Sequence, residues 1–371
     1  MQIGVPKEVK NHEYRVGLTP DSVQELVSAG HQVLVEQNVG AAIDFTDEHF
    51  RRAGAEIAPS AAEVFARADM IIKVKEPRPD ECRMLRAGQL LFTYLHLAAD
   101  PRQAELLLKS GAIALAYETV TNDRGHLPLL APMSEVAGRM AVQAGAHHLE
   151  KAQGGRGVLL GGVPGVAPAK VLILGGGVVG SNAAGVALGI GADVTIMDRS
   201  VDRLRELDRM FPESVRCVYA TAASIESYLP EADLVIGAVL LPGASAPRLV
   251  TREMVGRMKP GAVVVDVAID QGGCFATSRP TSHQDPTYVV DGVIHYCVAN
   301  MPGGVARTAT QALNNVTLPF VLQLADNPVR ALLNNAHLRN GLNIHCGRVT
   351  HRAVADSLGH DFTDAFEALK K

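Results

Sequence analysis

Short apolar runs alternate with segments of helical periodicity along most of the chain. In the first third, runs typical of buried strands occur at 2–5, 32–35, 69–74, 90–95 and 112–117, with helical patterns at 21–29, 60–66 and 101–109. Two of these helices have a recognisable start, because Thr19 and Asp100 each precede a proline. Such a strand–helix alternation is typical of a parallel sheet covered by helices.

The alternation continues beyond a long helical pattern at 132–152 and a glycine-rich turn. Strands are predicted at 170–174, 193–197, 215–219, 233–239, 262–267 and 293–298, and from 306 the pattern is helical to the end. The pattern switches from strand to helix near 130 and near 303. We therefore predict an α/β fold of two Rossmann-like, doubly wound parallel-sheet domains with a cleft between them. One domain comprises 1–130 plus 304–371 and the other comprises 131–303.

The first strand of the second domain leads directly into a glycine-rich turn. Gly175, Gly177 and Gly180 form a GxGxxG motif, a helical pattern follows, and the next strand ends near Asp198. The glycines allow a tight bend, a close approach to a pyrophosphate and close helix packing, while the acid can bind ribose hydroxyls. A turn without a ligand is the alternative, but the spacing of all parts favours a dinucleotide. A carboxylate at 198 favours NAD over NADP, a preference that the neighbouring Arg199 weakens.

Polar residues follow several predicted strands, at the ends where open α/β sheets bind ligands. Lys75, His96 and Asp270 each follow a strand, and Arg15 lies in the loop after the first one. Hydride transfer from a small acid requires a cation for the carboxylate and a group that moves a proton near neutral pH. Each residue also has an ordinary alternative, as a solvated charge, a packed histidine or a turn cap. Lys73 lies on the same side as Lys75 but farther from the strand end.

Composition and charge exclude several classes of protein. Of the 371 residues 47% are apolar and 20% charged, with a formal net charge of −4, which argues against disorder and against a basic nucleic-acid-binding face. Five dispersed cysteines without a CxxC motif predict a reducing compartment, no disulfides and no metal cluster. The uncharged segment 171–192 is rich in glycine and favours strand, turn and helix over a membrane span. We expect a soluble, cytoplasmic protein with neither a nucleic-acid nor a membrane partner.

Seven segments distributed along the chain resemble those of bacterial alanine dehydrogenases. They are MQIGVPKE at 1–8, NHEYRVGLTP at 11–20, KVKEP at 73–77, YLH at 94–96, LGGGVVG at 174–180, VDVAIDQGG at 265–273 and VANMP at 298–302. The similarity extends essentially from end to end. Among the relatives would be the NAD(H)-binding component of proton-translocating transhydrogenase.

The resemblance implies reversible oxidative deamination of L-alanine to pyruvate and ammonium, with NAD, by a homohexamer. In the family's pattern the first domain binds the substrate through Arg15 and Lys75, and the second binds NAD. His96 would be the proton donor and acceptor, and Asp270 its catalytic partner. The residues expected to contact the dinucleotide, from the motif and the resemblance together, are Ser134, Gly175, Gly177, Val178, Val179, Gly180, Asp198, Arg203, Val239, Leu240, Val267, Ala268, Ile269, Val298, Asn300 and Met301.

Two other functions are compatible with the dinucleotide motif. A transhydrogenase component would bind NAD(H) but would need neither a substrate-carboxylate site nor a proton-handling histidine, and would usually continue toward membrane helices. A nucleotide-sensing protein would keep the glycine motif and Asp198 but has no use for the four polar residues after the strands. Because the chain carries that polar set and no such helices, we expect the dehydrogenase.

Overall fold

The computed structural model describes residues 1–239 and 246–370. Its backbone forms two compact units: unit 1 is Met1–Pro132 with Val305–Lys371, and unit 2 is Met133–Gly304. Within the described ranges, no helix is both long enough and apolar enough to cross a membrane. The uncharged segment 171–192 instead forms a strand, a glycine turn and a helix.

Strands and α-helices alternate through both units. The strands are β1 Gln2–Val5, β2 Gln32–Glu36, β3 Glu56–Ala58, β4 Met70–Ile72, β5 Leu90–Thr93, β6 Ile113–Ala116, β7 Lys170–Leu174, β8 Asp193–Asp198, β9 Val215–Tyr219, β10 Leu234–Gly237, β11 Val263–Asp266, β12 Thr287–Val290, β13 Val293–Tyr296, β14 Leu342–His345 and β15 Arg348–Val349. The α-helices are α1 Pro20–Ser28, α2 Asp47–Arg52, α3 Ala61–Arg67, α4 Pro79–Met84, α5 Pro101–Ser110, α6 Ala131–His148, α7 Val178–Ile190, α8 Val201–Met210, α9 Ala222–Tyr228, α10 Arg252–Val255, α11 Ala306–Asp326, α12 Pro328–Asn334, α13 Ala336–Arg339, α14 Arg352–Leu358 and α15 Ala365–Ala368.

Unit 1 contains one sheet in the order β15-β14-β6-β5-β4-β1-β2-β3. Strands β1 to β6 pair in parallel, whereas β14 and β15 are antiparallel to their neighbours. The chain runs outward from β1 to β3 and then returns to the other side of β1 with β4. The strand order therefore reverses between β1 and β4, which is where open α/β sheets bind ligands.

Local signals in the sequence explain where two helices of unit 1 begin. The side chains of Thr19 and Asp100 accept hydrogen bonds from the backbone N–H groups of Ser22 and Gln103, and a proline occupies the first turn of each helix. Both predicted helix starts are confirmed. Helix α11, from the C-terminal segment, is hydrogen-bonded to the loop after β1 through Thr310, which accepts from the N–H of Val16.

Strands β14 and β15 contradict the prediction that the chain is helical from 306 to the end. Cys346 and Gly347 connect them with φ angles of 47° and 82°, the two positive values that a type I′ hairpin turn requires. The strands contain only four and two residues, so an alternating pattern is too short to be distinguished from helical periodicity. The turn also lacks the asparagine-glycine pair that usually reveals such a hairpin.

Unit 2 contains a sheet in the order β12-β13-β11-β10-β7-β8-β9, parallel except for β12. Both faces are buried: in β7, Val171 and Ile173 belong to one apolar cluster while Leu172 and Leu174 belong to another. A strand that is buried on both faces has a continuous run of apolar residues in its sequence. The ends of β7 could be predicted because the strand nearly coincides with such a run. The strand order reverses between β7 and β10.

Candidate functional site

Polar side chains follow the ends of four neighbouring strands of unit 1. Arg15 lies in the loop after β1, Lys75 follows β4, His96 follows β5, and Glu118 follows β6. Because β1, β4, β5 and β6 are adjacent and parallel, their carboxyl ends share one edge of the sheet. The structure therefore brings Arg15, Lys75 and His96 to the same edge, beside the reversal of strand order.

Arg15 is a buried cation that is held by Glu13. The guanidinium donates hydrogen bonds from Nε to Oε1 at 2.7 Å and from Nη2 to Oε2 at 2.6 Å, and only 3% of the residue is exposed. Burial opposes the charge, but the ion pair with Glu13 outweighs it and raises the pKa of Arg15. Gly17 lets this loop cross the end of β4, because a Cβ at that position would lie 2.5 Å from the carbonyl oxygen of Ile72.

The two lysines after β4 have different environments. Lys73 is 1% exposed, and its ammonium lies 3.2 Å from Glu8 and 2.7 Å from Glu81. Burial alone would lower the pKa of Lys73, but the two carboxylates outweigh it and raise the pKa. Lys75 is half-buried, and among the described residues its Nζ makes neither a hydrogen bond nor an ion pair. Lys73 is therefore a structural ion pair, whereas Lys75 can bind an anion.

His96 presents a partly exposed imidazole from an unusual backbone conformation. Its φ is 50° and ψ 38°, and its side chain is 48% exposed. The ring stacks against Tyr94 with 5.9 Å between centroids and 5° between planes. Tyr94 is fixed by the hydrogen bond that its hydroxyl donates to the carbonyl of Leu129 at 2.6 Å. An imidazole held in this way can exchange protons with a molecule in solvent or in a binding site.

The GxGxxG turn of unit 2 follows β7, and its three glycines have three different physical roles. Gly175 has a φ of 103°, and a Cβ there would lie 2.8 Å from the backbone of Ala238. A Cβ at Gly180 would lie 1.8 Å from the carbonyl oxygen of Gly175. Gly177 is the N-cap of α7, and a Cβ there would meet no atom within 4 Å. This open position at a helix N-terminus fits the pyrophosphate of a dinucleotide.

Asp198 and Arg203 hold the glycine turn from the neighbouring strand β8 and helix α8. The carboxylate of Asp198 accepts hydrogen bonds from the N–H groups of Gly176 and Ser200, each at 2.8 Å. Arg203 donates from Nε to the carbonyl of Gly176 at 2.6 Å. Each carboxylate oxygen has a second lone pair, so the half-buried Asp198 can also accept from ribose hydroxyls. The residues present therefore fit a dinucleotide.

Further predicted contacts lie on the same edge of the sheet in unit 2. Val239 follows β10, a 3₁₀ turn Val267–Gln271 follows β11, and Val298 follows β13. Asp270 is exposed, and its carboxylate makes no hydrogen bond or ion pair with any residue of 1–239 or 246–370. The remaining predicted residues are Val267, half-buried, Ala268 and Ile269, both buried, Asn300, with a φ of 64°, and Met301, buried. Leu240 lies outside the described residues.

Ser134 was predicted as a cofactor contact and lies near the start of α6, half-buried. One turn later, Gly138 brings α6 against α7: a Cβ there would lie 2.2 Å from the carbonyl oxygen of Val179. Val179 is buried, whereas Val178 at the start of α7 is 42% exposed. Ser134 is thus on a helix that packs closely against the helix of the glycine motif.

The sequence analysis missed the carboxylates that hold the site in unit 1. Glu13 pairs with Arg15, Glu8 accepts the backbone N–H of Lys75 at 3.1 Å, and Glu118 accepts that of His96 at 2.6 Å. Glu118 could have been found, because it follows a predicted strand as the other candidates do. Glu8 and Glu13 have no such signal, since a buried acceptor of backbone N–H groups is not distinguished by periodicity.

Comparison with known proteins gives a consistent result over the whole chain. Family models described as "Alanine dehydrogenase/PNT, N-terminal domain" and "Alanine dehydrogenase/PNT, C-terminal domain" match residues 4–137 and 141–352. An alanine dehydrogenase of Halomonas elongata is 59% identical over 366 residues, covering 98% of this chain and 99% of its own length. One of Bacillus subtilis is 55% identical over 372 residues, covering 100% and 98%.

Solved structures support the same relationship. A structure entitled "L-alanine dehydrogenase" matches with a TM-score of 0.94 at 54% identity, covering 97% of this chain and 99% of its own. A transhydrogenase structure from Sinorhizobium meliloti matches with a TM-score of 0.82 at 26% identity, covering 95% and 100%. The predicted α/β fold with two Rossmann-like sheets is thereby confirmed.

Proposed function

The chain belongs to the alanine dehydrogenase/PNT family, and we propose that it catalyses the reversible, NAD-dependent oxidative deamination of L-alanine to pyruvate and ammonium. The observation that carries the proposal is the placement of Arg15, Lys75 and His96 on one edge of the sheet in unit 1. That set suits a small substrate with one carboxylate and one exchangeable amine. The full-length similarity to alanine dehydrogenases supports it.

The cations of unit 1 bind the substrate in this proposal. Arg15 supplies a guanidinium whose direction is fixed by Glu13, so it orients the carboxylate and thereby the carbon that carries the hydride. Lys75 supplies an ammonium that makes no hydrogen bond or ion pair among the described residues, placed near the carbonyl or amine of the substrate. Fixing both ends of so small a molecule leaves the reacting carbon in one orientation.

His96 and Asp270 handle protons in the proposed reaction. Bound NAD supplies the hydride acceptor. Oxidation of the amine produces an imine that water must attack, and His96 removes a proton from that water and returns it to the departing ammonia. Asp270 is proposed as the second proton-handling group, since its carboxylate is exposed and makes no hydrogen bond within the described part of unit 2.

The dinucleotide is proposed to bind unit 2. The start of α7 at Gly177 and Val178 holds the pyrophosphate, and Asp198 holds a ribose and disfavours a 2′-phosphate, so NAD is preferred over NADP. Other proposed contacts are Ser134, Gly175, Val179, Gly180, Arg203, Val239, Leu240, Val267, Ala268, Ile269, Val298, Asn300 and Met301. We also propose a cytoplasmic homohexamer, by family resemblance; light scattering of the purified protein tests the subunit number.

A transhydrogenase component is the alternative, and it is less well supported. The solved transhydrogenase is 26% identical to this chain, whereas alanine dehydrogenases reach 59% over nearly the same length. A protein that only passes hydride between two nicotinamides would also have no use for an unpaired lysine and an exposed imidazole on one sheet edge.

The deciding experiment measures NADH formation from L-alanine against a panel of amino acids and 2-hydroxy acids. We expect turnover with L-alanine, a loss of about 10²–10⁴-fold in His96→Ala with NADH binding retained, and a raised KM for L-alanine in Arg15→Ala. His147→Ala is the matched control, because His147 is also exposed and lies 3.6 Å from a glutamate, in unit 2. Turnover in His96→Ala within a few-fold of wild type would refute the proton-transfer role.

A further inference from the structure

The backbone at His96 is held in a left-handed conformation by the carboxylate of Glu118. With φ 50° and ψ 38°, His96 occupies a region that residues other than glycine rarely adopt. Glu118 accepts hydrogen bonds from two successive N–H groups, those of His96 at 2.6 Å and of Leu95 at 3.2 Å. A strained backbone persists only where its surroundings determine it, and here the surroundings include this carboxylate.

Glu118 acts where regular pairing between β5 and β6 has ended. The last paired residues of the two strands are Thr93 and Ala116, and on the β4 side one further backbone hydrogen bond runs from the N–H of Tyr94 to the carbonyl of Val74 at 3.2 Å. The N–H groups of Leu95 and His96 lie beyond both pairings. The carboxylate replaces the missing backbone acceptors for residues 95 and 96. Its side chain is 14% exposed, so water competes weakly for these hydrogen bonds.

The same carboxylate also lies beside the imidazole. Oε1 of Glu118 is 3.8 Å from Nδ1 of His96, while the ring of Tyr94 lies parallel to the imidazole. Within the described residues, Glu118 is the one acidic partner of this ring. A single side chain from the neighbouring strand end thus holds the backbone at His96 and lies beside its ring, which also stacks on Tyr94.

We propose that Glu118 is a positioning residue for His96, a role that rests on the proposed proton transfer by His96. Without Glu118, residues 95–96 can relax toward a right-handed or extended backbone, which turns the Cβ of His96 in another direction. The imidazole is then displaced rather than removed. A displacement of about 1 Å in a reacting group lowers turnover by about 10²-fold.

Three substitutions of Glu118 distinguish the effect of its side-chain length from the effect of its charge. Glu118→Gln keeps an acceptor oxygen at the same distance and should keep kcat within about 10-fold of wild type. Glu118→Ala removes the acceptor, and Glu118→Asp moves it one methylene away from both N–H groups; both should lower kcat by about 10²-fold. KM for pyruvate and the Kd of NADH should stay within about threefold, because those sites do not include Glu118. Glu150→Ala is the control, since its carboxylate lies 3.6 Å from Nδ1 of His147 in unit 2.

A double-mutant cycle tests whether Glu118 acts through His96. If it does, Glu118→Ala should lower kcat no further in a His96→Ala background, whereas a general structural role would lower it in both backgrounds. Additive losses, wild-type kcat in Glu118→Ala, or a kcat order in which Asp exceeds Gln would overturn the proposal. If Glu118→Ala does not fold, Glu118→Asp and Glu118→Gln in the same cycle decide.

The failure of this inference is distinguishable from that of the proposed function. Absence of alanine-dependent NADH formation in the wild type refutes the function itself. Normal wild-type turnover and a His96→Ala variant slowed by about 10²–10⁴-fold, combined with additive losses at Glu118, refute only the positioning role.

Discussion

Single methyl groups added to the glycine turn of unit 2 test the dinucleotide site and separate binding from folding. Gly177→Ala introduces a Cβ that meets no atom within 4 Å, whereas in Gly180→Ala it would lie 1.8 Å from the carbonyl oxygen of Gly175. Gly185→Ala, in the same helix, brings it to an ordinary 3.8 Å from Phe211. The three variants therefore place one methyl group in open space, in a backbone clash and in normal contact.

The expected free energies of unfolding follow from these contacts. Gly180→Ala should lower the free energy by about 3 kcal/mol or more, because two backbone segments must separate to admit the methyl group. Gly185→Ala should raise it by about 0.5–1 kcal/mol, the usual gain of alanine over glycine inside a helix. Gly177→Ala should leave it nearly unchanged, because the poorer N-cap offsets the smaller entropy of the unfolded chain. Urea unfolding measures all three values.

The binding of NADH should follow a different order from stability. In Gly177→Ala the methyl group stands at the helix N-terminus where the pyrophosphate is proposed to lie. Loss of charge-assisted hydrogen bonds there corresponds to about 1.5–3 kcal/mol, or roughly 10- to 150-fold in Kd. Fluorescence titration of NADH measures it, with Gly185→Ala expected to bind as the wild type does. A folded Gly177→Ala protein with wild-type affinity would show that the phosphates are not bound at this helix start.

Three further predictions concern ion pairing, pH and cofactor choice. Lys73→Met leaves two carboxylates buried without their cation and should lower the free energy of urea unfolding by about 3–5 kcal/mol. The control Lys109→Met, in an exposed ion pair, should lower it by less than about 1 kcal/mol, and equal effects would contradict the role of burial. Burial lowers the pKa of His295 from 6.5, so the unfolded chain binds more protons and stability falls as pH decreases through 6.5. His295→Gln should therefore flatten the dependence of unfolding free energy on pH between 7 and 5, and an unchanged slope would exclude this histidine as its source. Asp198→Ser should raise kcat/KM with NADPH relative to NADH at least about tenfold, and an unchanged ratio would mean that the ribose is bound elsewhere.

Several strands of the two sheets could be predicted with their ends, including the edge strand β9, in which Arg216 and Tyr219 are exposed. The ends of β1, β7 and β9 were predicted as observed, at 2–5, 170–174 and 215–219. Strands β4 and β5 are shorter than predicted: β4 ends at Ile72 and β5 at Thr93. Their apolar runs continue further because Val74 and Leu95 are also buried, although no longer in the ladder. Burial sets the apolar pattern, but hydrogen bonding sets the strand end.

The chemistry at the strand ends could be predicted only in part. The rule that ligands bind beyond the carboxyl ends of strands selected Lys75 and His96 on position alone. It did not predict which neighbours hold them, because a carboxylate such as Glu8 binds backbone N–H groups that are far from it in sequence. Such pairings depend on strand order, and the order of strands is not contained in the periodicity of any one of them.

The electrostatic difference between the two lysines after β4 shows what the structure adds to the pattern. Alternation places Lys73 and Lys75 on the same side, so the sequence distinguishes them only by their distance from the predicted strand end. In the structure the charge of Lys73 is neutralised by two buried carboxylates, and that of Arg15 by Glu13. The ammonium of Lys75 makes no hydrogen bond or ion pair among the described residues and interacts only electrostatically with Glu76, so it is the less constrained of the two lysine ammonium groups. We therefore propose that Arg15 supplies direction and that Lys75 supplies the charge that attracts a small substrate.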